Sequence, residues 1–340
     1  MRGKSLAWLL GITVLAVVAA VVVSRGNSPL SNPLVGTPVM PELAKRMGDL
    51  GKVVINHADQ KTTIERNGKA WTVEERGGYP ADLTKLRQAL LGLADLTYFE
   101  PKTAVAASYP RLEVEDPGKD SKSILVTLAD TKGSLLGEAI IGKHRADQLG
   151  GGEGGVYVRK PGNAQSWLAR GSLDLAGNTA DWLDKQLLDL PAAQMKQVVL
   201  TQPDGSKVTL TRDKPADKLQ LVAMPKDKKL KYDSILDDTA GALSGLQLDD
   251  VRPAKGFDYP TSGVAKAQFV SFSGLTVDVD LADKDGKSWA RFAVSGSGDA
   301  AKQAAELNAR LSPWIYALSS DKAKTLRDKL DDLVETPKAS

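Results

Sequence analysis

The chain has no cysteine and only two histidines in 340 residues. Without thiols there is no disulfide framework, no thiolate metal site and no lipid attached through cysteine. His57 and His144 stand apart among ordinary polar residues, so neither has a partner at zinc-ligand spacing. The catalytic signatures are missing as well. There is no Gly-x-Ser-x-Gly elbow and no glycine loop ending in Lys followed by Ser or Thr. The one glycine-dense stretch, Gly150–Gly155, runs into Val156-Tyr-Val-Arg159, which reads as a strand and gives a hairpin loop in place of a phosphate cradle. No cofactor and no metal is expected.

An excess of one charge is also lacking once position is considered. The net charge is +3, but Arg2, Lys4 and Arg25 supply three of the 45 basic residues, leaving 42 against the 42 acidic ones. The signs alternate locally, as in Asp181-Trp-Leu-Asp184-Lys185, whereas a nucleic-acid binder gathers Lys and Arg on one face. Nucleic acid is therefore not an expected partner.

What the chain does have is an unbroken apolar run from Leu6 to Val23. As a helix it extends about 27 Å, close to the thickness of a bilayer core. Leu6, Trp8, Leu9, Leu10, Ile12, Val14, Leu15, Val17, Val18, Val21, Val22 and Val23 form the expected membrane anchor, with Trp8 at the interface. Arg2 and Lys4 before the run favour a cytoplasmic N-terminus, which places the remaining chain in the periplasm of a bacterial cell as a single-pass inner-membrane protein. A cleaved signal peptide is the rival reading, because Val18-Ala19-Ala20 offers a small-residue exit. The run continues through Val23 and is longer than the apolar region of a signal peptide usually is, which favours an uncleaved anchor. Residues 1–25 are thus read as anchor and 26–48 as a proline-rich periplasmic linker. Gly26–Pro41 carries four prolines. It suits a semi-rigid spacer of roughly 30–45 Å.

The remaining chain reads as two related halves, 49–192 and 193–335, followed by a tail at 336–340. Lys52-Val-Val-Ile55 returns as Lys196-Gln-Val-Val-Leu200, each followed by a second strand ending in Arg66 or Arg212. Leu96–Pro101 answers Leu248–Pro253, Tyr109-Pro110 answers Tyr259-Pro260, and Leu128–Gly133 answers Leu281–Gly286. Trp167-Leu168 and Trp314-Ile315 follow in the same order, and Ala300–Leu311 reads as a helix standing where the first half has Gly150–Gly155.

Within the first half, Val53–Ile55, Thr62–Arg66 and Ala70–Glu74 form a meander with a tight turn at Asn67-Gly68. Pro80 and Asp82 open a helix whose leucines recur at three and four residues, and its counterpart spans about Tyr232 to Leu246. Strands are expected at Ser123–Ala129, Glu138–Gly142, Val156–Arg159 and Trp167–Ala169, then at Leu275–Leu281, Trp289–Ser295 and Trp314–Leu318. Closing helices are expected at Thr179–Leu190 and Asp321–Val334, and Ala104–Ser121 reads as an ordered loop. The expected class is α+β: two tandem repeated domains of antiparallel sheet with packed helices, after a transmembrane helix.

Paired carboxylates at Glu113 and Glu115, Asp237 and Asp238, Asp249 and Asp250, and Asp331 and Asp332 read as solvated faces more readily than as acid–base pairs. Trp71, Trp167, Trp182, Trp289 and Trp314 read as packing residues more readily than as a sugar platform.

The order of these features resembles the bacterial domain-of-unknown-function family 4340. The resemblance is carried by Trp71-Thr-Val, Pro80-Ala-Asp, Tyr109-Pro-Arg-Leu-Glu-Val-Glu-Asp-Pro117, Ile140-Ile-Gly142, Gly155–Arg159 and Asp181–Leu188. It implies a periplasmic accessory subunit, since members of that family are typically encoded beside ABC transporters and proteins similar to gliding-motility transport components. It implies no active-site residues. The expected function is that of a non-enzymatic, membrane-anchored accessory or scaffold subunit of an ABC-type transport complex, its partners being ABC membrane transport proteins or other envelope proteins. The alternative is an envelope glycan- or peptide-binding module.

Overall fold

The computed structural model describes residues 32–145 and 154–337. The expected anchor residues, Arg2 and Lys4, the start of the linker and most of Gly150–Gly155 lie outside the described residues. Two compact units divide the chain. The first joins the residues up to Trp71 with Leu83–Thr179; the second joins Thr72–Asp82 with Ala180 onward.

In chain order the first half supplies α1 (Pro41–Arg46), β1 (Leu50–His57), β2 (Gln60–Asn67), β3 (Ala70–Val73), β4 (Tyr79–Pro80), α2 (Leu83–Asp95), β5 (Thr97–Pro101), β6 (Ile124–Asp130), β7 (Leu135–Arg145), β8 (Gly155–Arg159) and β9 (Ser166–Arg170). The sheet of the first unit runs β2-β1-β6-β7-β8-β9-β5, antiparallel throughout. Alternation makes these strands: Val53 and Ile55 of β1 are buried beside Val126 and Leu128 of β6, while their sequence neighbours are more exposed. Helix α2 buries Leu86, Ala89, Leu90 and Leu93, the single apolar stripe its leucine spacing dictates. The hairpin between β2 and β3 turns at Gly68, whose positive φ suits a residue without a side chain.

The sequence from Gly36 is packed and does not act as a free spacer. Gly36 N–H donates to Tyr98 O, Tyr98 N–H to Thr37 O and Val39 N–H to Leu96 O, at 2.7–2.9 Å, and Val39, Met40 and Leu43 are buried. Apolar side chains among the prolines are what pull this stretch onto β5.

The second half supplies β10 (Gln186–Leu188), β11 (Met195–Thr201), β12 (Lys207–Thr211), β13 (Gln220–Leu221), β14 (Lys229–Leu230), α3 (Ile235–Ala240), β15 (Leu246–Gln247), β16 (Asp250–Pro253), β17 (Ala265–Ser271), β18 (Leu275–Lys284), β19 (Lys287–Gly296), α4 (Ala300–Leu311), β20 (Trp314–Leu318), α5 (Ser320–Thr325), α6 (Leu330–Leu333) and β21 (Val334–Glu335). The main sheet runs β13-β12-β11-β17-β18-β19-β20-β16, with small pairs β10-β15 and β14-β21. Its core is lined by Val198, Leu200, Phe269, Val277, Val279 and Phe292. The class is α+β, dominated by antiparallel sheet.

Several expectations need correction. Thr179–Leu190 is a single 3-10 turn followed by β10, because Trp182 O and the Leu183 backbone are engaged in a ladder with Ala81 and Asp82 that a continuous helix forbids. Asp321–Val334 is two short helices, broken where Lys329 is extended. The Tyr232–Leu246 helix shrinks to α3, cut short by Gly241 and Gly245. Ala104–Ser121 contains the 3-10 turn Ala106–Arg111.

Strand β17 lies outside the expected strands, and its presence displaces one sequence match. Leu128–Gly133 ends β6, whereas Leu281–Gly286 ends β18, which occupies the place of β7 in the other sheet. Both segments carry an Asp and a Gly because both close hairpins. Gly133 has φ 86° and Gly286 has φ 74°. Likewise α4 lies between β19 and β20, the place of the short turn between β8 and β9, and not of the glycine-rich loop.

Candidate functional site

Among the described residues no helix is long and apolar enough to cross a membrane, and no group of three or more His, Cys, Asp or Glu could hold a metal ion. His57 is positioned by packing: its Nδ1 lies 3.1 Å from Ser123 O, and a Cβ on Gly177 would come within 2.4 Å of its ring. His144 is a ladder residue opposite Val156. Trp167, Trp182, Trp289 and Trp314 pack. Trp182 is wholly buried, Trp167 meets Tyr98 at 5.0 Å between centroids, and Trp289 meets Phe257 at 5.1 Å while its Nε1–H donates to Lys284 O.

Two clusters of ionisable groups stand out, both in the second unit. The first surrounds Asp250 at the start of β16. Its side chain is 5% exposed. Oδ1 accepts from Arg76 Nε at 2.6 Å, Val251 N–H at 2.9 Å and Arg252 Nη1 at 3.2 Å, and Oδ2 accepts from Lys287 Nζ at 3.1 Å. Burial pushes the carboxyl up, but the hydrogen bond and charge of Arg76, the Val251 amide and Lys287 prevail, so it is held below the ordinary carboxylate range. A carboxylate with three cationic partners is already neutralised and is a poor base or nucleophile. Its chemistry is to fix the positions of Arg76, Arg252 and Lys287.

The second cluster lines an open cavity of about 350 Å³ among α3, α5 and α6. Asp328 is half-buried and accepts from Thr239 Oγ1 at 3.2 Å. Burial raises its pKa, the Thr239 bond opposes, and the charge of Asp332 adds to the rise. Asp238, Asp321 and Asp332 share the walls with Lys231 and Lys324, and Tyr232 stands at the edge, half exposed. Such a lining offers hydrogen-bond acceptors and both charge signs to a small polar molecule.

Sequence reasoning places each acidic pair on a solvated face. Asp250 departs from this and is buried in a cluster, whereas Asp238 and Asp332 stay exposed on the lining of the open cavity. The partner of Asp250 across the fold, Arg76, has no signal in the sequence, because 174 positions separate the two.

These features define an α+β protein of antiparallel sheets with a buried charge cluster at Asp250 and, separately, a small polar cavity at Asp328. Residues 71–267, more than half of the chain, match the family described as Domain of unknown function (DUF4340), and the chain belongs to that family. No curated protein and no solved structure matches it.

Proposed function

We propose that this chain is a non-enzymatic, membrane-anchored extracytoplasmic accessory subunit of an ABC-type transport complex. The observation that carries the reading is the apolar run Leu6–Val23, preceded by Arg2 and Lys4 and followed by Arg25. A single anchor and a large extracytoplasmic body suit a subunit that braces membrane-embedded partners. The polar cavity near Asp328 favours the second reading, an envelope module that binds a peptide or glycan.

The two sheet units are read as a tandem repeat. Their strand orders support it, and so do particular pairs. Pro101 lies opposite Trp167, as Pro253 lies opposite Trp314. Tyr109 OH donates to Ala164 O beneath the Arg159 guanidinium at 4.7 Å, as Tyr259 OH donates to Asp280 O beneath Arg291 at 4.7 Å.

The test is crosslinking of the full-length protein in intact cells, mild detergent extraction and mass spectrometry of the partners, beside an anchor-deleted control. Enrichment of ABC membrane and ATPase subunits over that control is the expected result. Recovery of peptidoglycan fragments alone supports the binding-module reading, and bulk membrane protein alone overturns the accessory-subunit reading.

A further inference from the structure

Thr72–Asp82 is drawn from the first half of the sequence yet belongs to the second compact unit, and four different interactions seat it there. Arg76 reaches the buried Asp250. Gly77, with φ +66°, lies so close to β16 that a Cβ would stand 2.3 Å from Pro253 Cγ and 3.6 Å from the Trp314 ring. Tyr79 is 5% exposed and packs edge-to-face on Trp314 (5.0 Å, 87°) and Tyr316 (6.3 Å, 78°). The backbone then adds to Trp182–Asp184: Asp184 N–H donates to Pro80 O at 3.0 Å, Asp82 N–H donates to Trp182 O at 2.8 Å, and Ala81 bridges Leu183 in antiparallel register.

Charge selection, a close backbone approach and an aromatic anchor hold a turn here, with Glu74–Arg76 in a 3-10 turn and Gly77 and Gly78 at positive φ, and ladder addition follows only at Pro80–Asp82; together these are elements by which a fold recognises a peptide. The receiving wall holds much of its own shape. Arg252, Lys287 and the Val251 amide bond Asp250 beside Arg76, and Trp314 and Tyr316 lie in β20 opposite Pro253 and Val251.

We propose that this wall is a groove for a turn-shaped Arg-Gly-Gly-Tyr-Pro segment, that the chain fills it in cis with residues 74–82, and that filling it closes the core of the second unit. Tethering supplies an effective concentration of order millimolar, so a modest intrinsic affinity is enough to keep the groove occupied.

The experiment uses the full-length chain in detergent. In an Arg76→Ala, Tyr79→Ala double variant, hydrogen exchange is followed by mass spectrometry in Asp250–Pro253 and Trp314–Leu318, with Leu50–His57 and Ile124–Asp130 as reference strands. Exchange in the first two segments is expected to accelerate at least about tenfold while the reference strands stay unchanged. Millimolar synthetic peptide spanning Glu74–Asp82 is expected to restore protection, and the same peptide carrying Tyr79→Ala is not. Unchanged exchange in β16 and β20 overturns the proposal, and so does acceleration that the peptide fails to reverse, because the segment is then ordinary core. If the double variant loses protection everywhere, Arg76→Ala alone decides. Acceleration confined to Asp250–Pro253 and reversed by peptide supports the groove; acceleration spread through β1 and β6 overturns it.

Discussion

Arg76 Nε lies 2.6 Å from Asp250 Oδ1, and the carboxylate it meets is already bonded to Arg252, Lys287 and the Val251 amide. The two sides of this ion pair are therefore unequal. Asp250→Asn leaves three cations facing one another around a neutral amide and is expected to cost about 3–5 kcal/mol, the range for breaking a buried pair from the side that is outnumbered. Arg76→Met leaves the carboxylate two cations and should cost about 1–2 kcal/mol. Chemical denaturation of both variants checks the ranking; equal losses contradict it.

The same carboxylate sets a pH dependence. Its folded pKa is depressed: burial opposes ionisation, but Arg76 and the remaining donors outweigh it. The stabilisation is therefore complete above the unfolded value of about 3.9 and is lost as pH falls through the lower folded value. The stability gap between the wild type and Asp250→Asn should be constant from about pH 7 to about pH 5 and narrow steadily as the pH falls below about 3.9. Denaturation midpoints across that range test it.

Asp328 has the opposite sign. Burial and the nearby Asp332 raise its pKa against the Thr239 bond, so its ionised form costs stability once pH rises above the unfolded value. Asp328→Asn keeps an oxygen for Thr239 and removes the charge. It should stabilise the protein at about pH 7 by roughly 0.5 kcal/mol after solvent screening, with no gain at about pH 3. A thermal scan at the two pH values reads both numbers.

Two glycines with nearly the same backbone angle separate strain from crowding. Among the described residues a methyl group on Gly68 (φ +63°) would meet nothing within 4 Å, whereas at Gly77 (φ +66°) it would meet Pro253. Gly68→Ala should cost about 1 kcal/mol, the left-handed penalty alone. Gly77→Ala should cost at least about 2–3 kcal/mol because β16 must also move. Comparable losses in thermal denaturation would show that the fit at Gly77 is not close.

Arg212, just after β12, and Arg66, near the end of β2, do different work. Arg212 is 7% exposed and donates to Met195 O at 2.8 Å, with further bonds to Ala192 O and Asp217 O. Arg66 is exposed and makes bonds of 3.3 and 3.4 Å to Gly68 O and Gly48 O. Arg212→Met strands the buried Met195 carbonyl and should cost about 1–3 kcal/mol; Arg66→Met should stay within about 0.5 kcal/mol. Urea unfolding of the pair is the measurement.

Where period and turn chemistry act locally, the sequence is readable. The α2 stripe at Leu86, Leu90 and Leu93, the turn at Gly68, helix α4 and most core strands follow from spacing alone. Legibility ends where tertiary partners decide. Trp182, Leu183 and Leu187 have helix-like spacing, but pairing with Ala81 and Gln247 draws the segment into extended structure. Strand β17 alternates plainly, with Ala265, Ala267 and Phe269 buried, yet small alanines mute the signal. The Asp250 cluster is invisible in the sequence because a short polar Asp-Asp pair looks the same on a solvated face as at a buried strand start.

The separation of Arg76 from Asp250 is also a separation in time. They stand 174 positions apart. At the usual pace of translation, that distance corresponds to roughly 9–35 s of synthesis. Throughout that interval Tyr79 has been made but Trp314 and Tyr316 have not, and no local rearrangement of the nascent chain can supply them. The pace of elongation, and not a folding barrier, then fixes the earliest moment at which this core closes. A slower message delays closure in proportion, lengthening the period in which an arginine and a tyrosine side by side on a growing chain are open to a chaperone or a protease.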